Sequence, residues 1–371
     1  MVKGMKQTEI GWIPEDWKVR SLKEVTSEFK SGFSITSKLI FEDDLFPVYG
    51  GNGMRGYTSR FTHEGEYVLI GRQGALCGNL NFVEGKIFIS EHAVAVKSNE
   101  NSETKYLYYA IEPLNLNSLS ESSAQPGLSV EKIVRLKIPL PPLPEQEAIA
   151  RALSDADAWI ESLEQLIAKK RLIKQGAMQE LLTQKEGWEV KKLGDFCEII
   201  MGQSPLSEFY NSSGNGLPLV QGNADIENRK TIVRNYTSSI TKKGKTGDII
   251  MSVRAPVGEI ARATFDCCLG RGVCAFRTEN DFLYHLLIYK ESSWAQFSTG
   301  STFDSVNSNQ IKELEIFIPK SLPEQTRIAT ILSDMDAELE ALEQQLHKAR
   351  QIKQGMMQEL LTGRVRLVNN I

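Results

Sequence analysis

The chain has 371 residues, of which 41% are hydrophobic and 24% are charged, and its formal net charge is −4. These proportions are typical of a globular protein of two to three domains and argue against a disordered or fibrous chain. No apolar run is long enough for a signal peptide or a membrane span, and five cysteines, an odd number, do not make a disulfide framework. We therefore expect a cytoplasmic protein without a membrane segment.

The first region, residues 1–142, contains short apolar runs rich in Val, Ile, Tyr and Phe that are separated by turns of Gly, Asn and Asp. This pattern predicts a curved or barrel-like sheet with short flanking helices. The segment GGNGMRG supplies a formal G-x-G-x-x-G at Gly51, Gly53 and Gly56, but the residues after it indicate strand and turn. A dinucleotide-binding motif requires a helix there, so we interpret the segment as a Gly-rich turn that brings backbone close to a ligand.

The next segment, residues 143–183, predicts a long helix that begins at LPEQ and carries apolar residues at alternating steps of four and three. The segment is repeated at residues 322–362, where 27 of 41 positions are identical at an offset of 179. The chain is therefore an internal duplication. In each copy a lysine, Lys174 or Lys353, interrupts the apolar seam. We expect the seam to resume on a shifted face through Ile173, Ala177 and Leu181 in the first copy, and through Ile352, Met356 and Leu360 in the second.

A helix of this length cannot bury its apolar seam against itself. The simplest partner is the other copy, which predicts an intramolecular coiled coil, and the coil should be antiparallel because a globular region returns the chain to the start of the second helix. Gly176 and Gly355 lie inside the two helices, where glycine costs about 1 kcal/mol relative to alanine. They indicate a close approach of backbone, either by the other helix or by another protein, or alternatively a local kink.

The region between the helices, residues 184–321, follows the first region segment by segment. FPVYGGN is matched by LPLVQGN, YVLIGRQG by IIMSVRAPVG with Arg72 opposite Arg254, and HAVAVKSN by GVCAFRTEN. We therefore predict a pseudo-twofold α+β protein: two mixed α/β domains alternate with two long helices that form an antiparallel intramolecular coiled coil. The second helix and a C-terminal tail occupy residues 322–371.

Candidate binding residues are numerous. Residues 229–277 contain ten Lys or Arg against three acids, a net charge of +7 that suits phosphate, although a solvated basic face without a partner has the same pattern. Arg can bind guanine through two hydrogen bonds, and Asn or Gln can bind adenine in the same way. Residues of these types near the Gly-rich turns and in the basic window are our candidate DNA-binding residues: Asn52, Arg55, Arg72, Gln73, Asn223, Lys242, Lys243, Arg254 and Arg271. Three more residues, Asn79, Asn81 and Arg262, belong to the same clusters.

Residues for catalysis are few. The four histidines are scattered, and the cysteines at 267, 268 and 274 lack metal-ligand spacing, so we place these cysteines in the apolar core. The P-loop, the nucleophile elbow and the zinc-protease pattern are absent, as is the Asn-Pro-Pro-aromatic sequence that amino-methyltransferases use at their target base. We predict neither a catalytic site nor a metal site.

Two variable regions alternate with two near-identical helices that begin LPEQ and end QELLT, and the chain also contains QTEIGWIPEDW, VYGGNGMRGY and IGRQG. In this combination the sequence resembles the DNA specificity subunit of type I restriction-modification systems. The resemblance implies that each variable region is a target recognition domain for one half of a split site in double-stranded DNA. It implies that the helices act as a spacer and dock two methyltransferase subunits, and that restriction subunits join the assembly. It also implies that the chain is not an enzyme, and that SAM, ATP and magnesium belong to its partners.

On this resemblance, the Gly-Arg-x-Gly turn of the family falls on residues 71–74, and its counterpart is residues 252–258 followed by 270–272. The two domains should therefore read different half-sites. The candidate docking residues for the methyltransferase are Gly176, Gly355, Gln175 and Gln354. Two other functions stay open: a structural coiled-coil adaptor, which would not bind duplex DNA beside a methyltransferase, and a stand-alone DNA-modifying enzyme, which would modify DNA when given SAM and magnesium.

Overall fold

The computed structural model describes residues 4–74, 76–119, 127–254, 256–292, 294 and 306–367. The chain divides into two compact units. Unit 1 comprises Met1–Glu164 and Gln344–Ile371, and unit 2 comprises Gln165–Glu343. Two long helices run from one unit into the other. They are the first long helix, Leu143–Leu182, and the second long helix, Leu322–Leu360.

Short strands are the commonest regular elements in the globular part of unit 1. The described strands are β1 (Met5–Thr8), β2 (Gly11–Pro14), β3 (Lys18–Ser21), β4 (Thr26–Ser31), β5 (Phe46–Gly50), β6 (Gly53–Thr58), β7 (His63–Glu64), β8 (Tyr67–Gly71), β9 (Leu80–Val83), β10 (Lys86–Ile89), β11 (Ala93–Ser98) and β12 (Lys137–Leu140). Its short α-helices are Leu22–Val25, Thr104–Ile111 and Val130–Ile133, and its 3-10 helices are Ser37–Leu39, Glu112–Leu114 and Leu116–Leu119. The strands pair in the orders β6-β5-β10-β7, β4-β11-β8-β9, β1-β2 and β12-β3.

Unit 2 is built in the same way. Its described strands are β13 (Trp188–Lys192), β14 (Glu198–Met201), β15 (Tyr210–Asn211), β16 (Leu217–Val220), β17 (Ile226–Glu227), β18 (Lys230–Thr231), β19 (Asn235–Thr237), β20 (Lys243–Gly244), β21 (Ile249–Ser252), β22 (Ile260–Arg262), β23 (Cys267–Leu269), β24 (Val273–Arg277) and β25 (Glu315–Pro319). The short α-helices for which the structure describes both ends are Leu193–Phe196, Asp281–Tyr289 and Ser308–Lys312, and the described 3-10 helices are Ser207–Phe209 and Asn223–Asp225. The sheet orders are β14-β24-β21-β22-β18-β17, β15-β19-β16-β23-β20 and β13-β25.

The two units share the central strand order of their main sheets, and the sheets of unit 2 have additional edge strands. In each, a parallel pair of strands, β5 with β10 or β16 with β23, is flanked by antiparallel neighbours. In each, a fully buried strand, β8 or β21, lies between two antiparallel partners. Strands that are buried on both faces are continuously apolar, which is why both sequences contain an unbroken run here.

The apolar core of each unit includes parts of both long helices. In unit 1, Ile149 and Leu153 from the first long helix and Leu360 from the second pack into the core of the globular region. In unit 2, Leu182 from the first long helix and Leu332 from the second pack in the same way. Each long helix therefore buries its two ends in different cores, and neither helix depends on its partner helix alone for burial.

Ion pairs show that the two long helices run antiparallel. In unit 1, Asp157 Oδ1 lies 2.7 Å from Lys353 Nζ, and Glu164 Oε1 lies 2.5 Å from Arg350 Nη2. Residue numbers rise along one helix while they fall along the other. Unit 2 shows the same direction, through Arg171 with Glu343 and Lys174 with Asp336. The antiparallel intramolecular coiled coil that the repeat predicts is confirmed.

The prediction that the seam shifts at its two lysines was wrong for Ile173 and Ile352. The other residues named for the resumed seam do pack against the cores, Ala177 and Leu181 in unit 2 and Met356 and Leu360 in unit 1. Ile173 and Ile352, which should have continued the seam, are 47% and 42% exposed. The lysine side chains themselves face inward and are only 15% exposed at Lys174 and 16% at Lys353. The seam keeps its face, and the lysines form a polar layer within it.

Each lysine of this layer is paired with an aspartate of the facing helix. Lys174 binds Asp336 in unit 2, and Lys353 binds Asp157 in unit 1. The hydroxyl of Tyr109 also donates to Asp157, at 2.7 Å. A charged side chain can occupy an apolar seam when a partner of opposite charge satisfies it, and such a layer fixes the register of the two helices.

Candidate nucleic-acid interface

The Gly-rich turns of unit 1 meet at one end of its strands. A Cβ atom at Gly51 would lie 2.8 Å from the carbonyl oxygen of His92, and a Cβ atom at Gly71 would lie 2.5 Å from the carbonyl oxygen of Gly51. The N–H of Arg72 donates to the same His92 carbonyl at 2.9 Å. Only glycine allows backbones to approach this closely, and the hairpin β5–β6, the end of β8 and the start of β11 therefore converge.

Several predicted residues of unit 1 surround this convergence. Asn52 and Arg55 are exposed on the hairpin, and the Arg55 side chain lies across Gly50. The side-chain oxygen of Asn81 lies 3.7 Å from the position that a Cβ atom at Gly53 would take. The predicted G-x-G-x-x-G segment therefore forms a hairpin and leads into strand β6, as its sequence indicates, and not into a helix.

The Gly-Arg-x-Gly turn supplies two further side chains to this place. Arg72 is half-buried, and its Nη1 donates to Ser31 Oγ at 3.1 Å. Gln73 is exposed, and its Oε1 lies 3.2 Å from Nδ1 of His92. Asn79 is exposed, and its carbonyl accepts the N–H at the end of β8. The structure thus brings the unit 1 candidates together around this convergence of backbone.

Unit 2 builds the same convergence with glycines at different positions. A Cβ atom at Gly272 would clash with the carbonyl of Gln221, and one at Gly202 would clash with the carbonyl of Gly270. The N–H of Val253 donates to the Gly272 carbonyl at 2.9 Å. The loop after β16, the end of β21 and the start of β24 therefore meet as their counterparts do in unit 1.

The unit 2 candidates fall into two groups. Asn223, Arg254 and Arg271 are exposed at this convergence, and neither arginine forms an ion pair with a carboxylate in the described part of the chain. Lys242 is also exposed. It lies near this group because its backbone carbonyl accepts the N–H of the last residue of β23. The second group is Lys243 alone, whose side chain forms an ion pair with Asp266.

The hydrogen bonds correct the alignment of the two units by one residue. The N–H of Arg72 donates to the carbonyl just before β11, and the N–H of Val253 donates to the carbonyl just before β24. Arg72 is therefore equivalent to Val253, and placing it opposite Arg254 was wrong. The counterpart of Arg254 is Gln73.

The basic window of unit 2 is less positive in the fold than in the sequence. Five of its ten cations bind carboxylates, and three of those acids lie outside the window: Arg229 with Glu291, Lys230 with Glu340, Lys243 with Asp266, Arg262 with Asp281 and Arg277 with Asp248. Hydrogen bonds from the backbone of Thr246 and then from Lys243 lower the pKa of Asp266 to about 2. The cations without such a partner among the described residues are Arg234, Lys242, Lys245, Arg254 and Arg271.

Sequence reasoning missed four polar residues at the two convergences. They are Glu91 and His92 in unit 1, and Gln221 and Tyr210 in unit 2, where Gln221 Nε2 donates to the Tyr210 hydroxyl at 2.7 Å. For Glu91 the sequence contained a usable signal. Extending the match of HAVAV with GVCAF by one residue upstream pairs Glu91 with the candidate Arg271.

The candidate docking residues lie on the exposed sides of the long helices. Gln175, Gly176, Gln354 and Gly355 are exposed, and a Cβ atom at either glycine would meet nothing within 4 Å. The helices are continuous through both glycines. A close approach by the other helix is therefore excluded as the reason for these glycines, while a partner protein or a local kink stays open.

Within the described residues there is no cluster of three or more His, Cys, Asp or Glu arranged to hold a metal ion. No described helix has the length and apolar character needed to cross a membrane. The cysteines at 267, 268 and 274 are free and buried in the core of unit 2, as predicted.

Comparison with known proteins identifies the family. The sequence model of the type I restriction modification DNA specificity domain matches twice, over residues 14–170 and 185–351. A putative type I restriction enzyme specificity subunit from Methanocaldococcus jannaschii, MjaX, is 30% identical over 98% of this chain and 97% of its own. The EcoprrI specificity subunit of Escherichia coli is 40% identical over 33% of this chain and 30% of its own.

Solved structures agree in fold. The crystal structure of a type I restriction-modification S subunit from M. genitalium has a TM-score of 0.73 at 18% identity and covers 97% of this chain and 99% of its own. A chain from a study of complex assembly and conformational transition of the type I R-M system has a TM-score of 0.56 at 24% identity, over 95% of this chain and 99% of its own. The chain belongs to the type I restriction-modification DNA specificity family.

Proposed function

We propose that this protein is the DNA-specificity subunit of a type I restriction-modification complex. Each globular region reads one half of a bipartite site in double-stranded DNA, and the paired long helices set the separation of the two halves. The observation that carries this proposal is the repeated convergence of Gly-rich turns, which has the same backbone in both units but unlike exposed polar side chains. A common frame with different side chains suits two readers of different sequences.

The chemistry in this proposal belongs to partner subunits. Methyltransferase subunits bring SAM, and restriction subunits bring ATP and magnesium, while this chain contributes recognition. Two relatives are named as specificity subunits of restriction enzymes, and one similar chain comes from a study of complex assembly in a type I system. Basic partner subunits can supply part of the contacts to the DNA phosphates, which allows a chain with a net charge of −4 to bind DNA.

Equivalent patches on the long helices support docking of two copies of one methyltransferase. Ile173 with Gly176, and Ile352 with Gly355, stand three residues apart on the exposed sides of the helices. Residues at this spacing share a helix face, and a glycine beside an exposed isoleucine lets a partner approach the backbone closely. The exposed amides of Gln175 and Gln354 can hydrogen-bond to the same partner.

The spacing role is tested by inserting four residues after Ala168 in the first long helix. The subunit would be produced with its methyltransferase, and modified bases would be mapped across genomic DNA. We expect the two half-sequences to stay the same while the unread spacer between them lengthens. An unchanged spacer with both half-sites intact would contradict the role of the helices as a ruler.

The docking role is tested by substituting both glycines with leucine. Because nothing in the chain fills the space beside them, Gly176→Leu and Gly355→Leu should not lower the melting temperature. The apparent affinity for the methyltransferase, measured by co-elution on size-exclusion chromatography, should fall by about tenfold or more. The matched control is Ala168→Leu, on the same helix but outside the patch. Full co-elution of the double variant would contradict docking at the patches.

A further inference from the structure

One equivalent position in the two units carries opposite charges. In unit 1 the N–H of Ser90 donates to the carbonyl of Tyr49 at 2.8 Å, and in unit 2 the N–H of Gly270 donates to the carbonyl of Val220 at 2.8 Å. The residue that follows is an acid in unit 1, Glu91, and a base in unit 2, Arg271. Each of these two residues comes directly before the one whose backbone carbonyl accepts the hydrogen bond across the convergence, His92 in unit 1 and Gly272 in unit 2. The backbone therefore presents the two side chains at the same place in each unit.

The carboxylate of Glu91 is held with one oxygen unsatisfied. Its side chain is 33% exposed, and Oε1 lies 3.8 Å from Nε2 of His92, but Oε2 is buried without a hydrogen-bond partner among the described residues. Because Oε2 is shielded from solvent, a ligand would reach this carboxylate through Oε1, whose described partner is His92 at 3.8 Å, so a hydrogen-bond donor from a bound ligand would be favoured at Oε1. On the other side of His92, Nδ1 is 3.2 Å from Gln73 Oε1, which fixes the imidazole ring between Gln73 and Glu91.

Arg271 faces the opposite requirement. It is exposed, its backbone N–H is satisfied by Ser204 Oγ at 3.0 Å, and its guanidinium forms no ion pair with a described carboxylate. Five N–H donors in a planar fork suit a ligand with two adjacent acceptors. The position in unit 1 therefore favours a hydrogen-bond donor on the ligand, and the position in unit 2 favours hydrogen-bond acceptors.

We propose that Glu91 and Arg271 are specificity-determining residues at equivalent positions. Glu91 accepts a hydrogen bond from the exocyclic amino group of a cytosine in the first half-site, and Arg271 donates to O6 and N7 of a guanine in the second. A carboxylate is repelled by phosphate, so its favourable contact on a duplex is the amino edge of a base in the major groove. This proposal rests on the proposed function and names the chemistry of its two sites.

The test uses the full chain in complex with its methyltransferase, which is incubated with SAM and a library of unmodified DNA fragments. Modified bases are then read by sequencing for Glu91→Gln and Arg271→Gln. The matched controls are Glu100→Gln, an exposed acid beyond the other end of strand β11, and Lys320→Gln, an exposed cation before the second long helix. Melting temperatures of all variants report whether they fold.

We expect Glu91→Gln to lower discrimination at one cytosine of one half-site by about 5- to 150-fold and to admit adenine there, since an amide can bind adenine. Arg271→Gln should lower discrimination at one guanine of the other half-site by a similar factor. The half-site read by the unchanged unit and both controls should keep the wild-type motif. A merely structural role would lower the overall rate of methylation without changing the motif.

The proposal is overturned if folded Glu91→Gln and Arg271→Gln complexes keep the wild-type motif. It is also overturned if each variant alters both half-sites equally. Failure of the proposed function looks different, because the wild-type complex would then modify DNA without a bipartite motif, or the methyltransferase alone would show the same motif.

Discussion

The guanidinium of Arg366 lies against the carboxylate of Glu145, with Nε 2.5 Å from Oε1 and Nη2 2.7 Å from Oε2. Glu145 comes from the LPEQ start of the first long helix and is fully buried in unit 1. The indole N–H of Trp17 donates to the same carboxylate at 2.9 Å, and Arg366 also binds both oxygens of Asp16. These hydrogen bonds, first to Glu145 and then to Asp16, raise the pKa of Arg366. The C-terminal tail therefore neutralises a charge inside the core.

Arg366→Ala should destabilise the protein, because it leaves the Glu145 carboxylate buried with one hydrogen bond. Breaking a buried pair costs roughly 3 kcal/mol, which should appear as a lower midpoint in urea denaturation. The matched control is Arg364→Ala, since Arg364 is exposed and lies 3.4 Å from Glu359. We expect the control to cost under ~0.5 kcal/mol, and equal losses for the two variants would refute the role of Arg366.

The polar layer between the long helices should show pairwise coupling. Lys353 is mostly buried, while Asp157 is 37% exposed, so solvent screens part of their attraction. Lys353→Met, Asp157→Asn and the double variant form a double-mutant cycle, and we expect a coupling free energy of about 1 kcal/mol from chemical denaturation. The exposed pair Arg350 and Glu164 is the control, with an expected coupling below ~0.5 kcal/mol. A cycle without coupling at Lys353 would mean that the layer does not fix the helix register.

His285 should make unit 2 sensitive to acid. Burial lowers the pKa of His285 to about 4, with Asp336 opposing that shift and Lys174 and Arg262 reinforcing it. Between pH 6.5 and 4 the unfolded chain takes up a proton that the folded chain does not, so stability falls as pH drops through this window. The loss should reach at most about 3 kcal/mol.

His285→Gln keeps a hydrogen-bonding side chain near Ser333, whose Oγ is 2.9 Å from His285 Nε2, but it cannot titrate. Its stability, measured by urea denaturation at several pH values, should fall less steeply between pH 6.5 and 4 than that of the wild type. His347→Gln, at an exposed helix position, should leave the slope as it is. If the slope is the same with and without His285, burial of its neutral form is not the source of acid sensitivity.

Substitution of two neighbouring lysines distinguishes a side chain that binds DNA phosphate from one that pairs with a carboxylate of the same chain. Lys242 is exposed without a described carboxylate partner, whereas Lys243 Nζ is 2.9 Å from Asp266. In the complex with the methyltransferase, Lys242→Gln should weaken DNA binding about threefold to tenfold and reduce the slope of affinity against salt by about one. Lys243→Gln should change binding less than twofold. Fluorescence anisotropy over a salt series measures both, and a larger effect at Lys243 would assign the phosphate contact to the paired lysine.

Much of the fold could be predicted because a repeat is a strong signal. Identity at 27 of 41 positions predicted the two long helices, and the need to bury their seams predicted their pairing. The register of the helices could not be predicted, because it depends on the pairing of Lys174 and Lys353 with aspartates far away in the chain. A lysine in an apolar seam looks like an interruption until its partner is known.

The candidate site was predictable only in outline. Glycines mark places where backbones approach, so the turns at Gly51 and Gly71 were found from the sequence. The charge of residues 229–277 was overestimated, since acids outside that window, such as Glu291 and Glu340, fold back onto its cations. Glu91 was overlooked because an acid is not expected where DNA binds, although the match of HAVAV with GVCAF already pairs it with Arg271, and the hydrogen bonds support that pairing.

The sharing of both long helices between two cores has a thermodynamic consequence. Leu153 and Leu182 anchor one helix in different cores, and Leu332 and Leu360 do the same for the other. If one core melts, a continuous helix loses an anchor and its seam frays towards the remaining core, which weakens that core as well. Calorimetry should therefore record a single cooperative endotherm, even though the protein contains two hydrophobic centres that could each have unfolded independently.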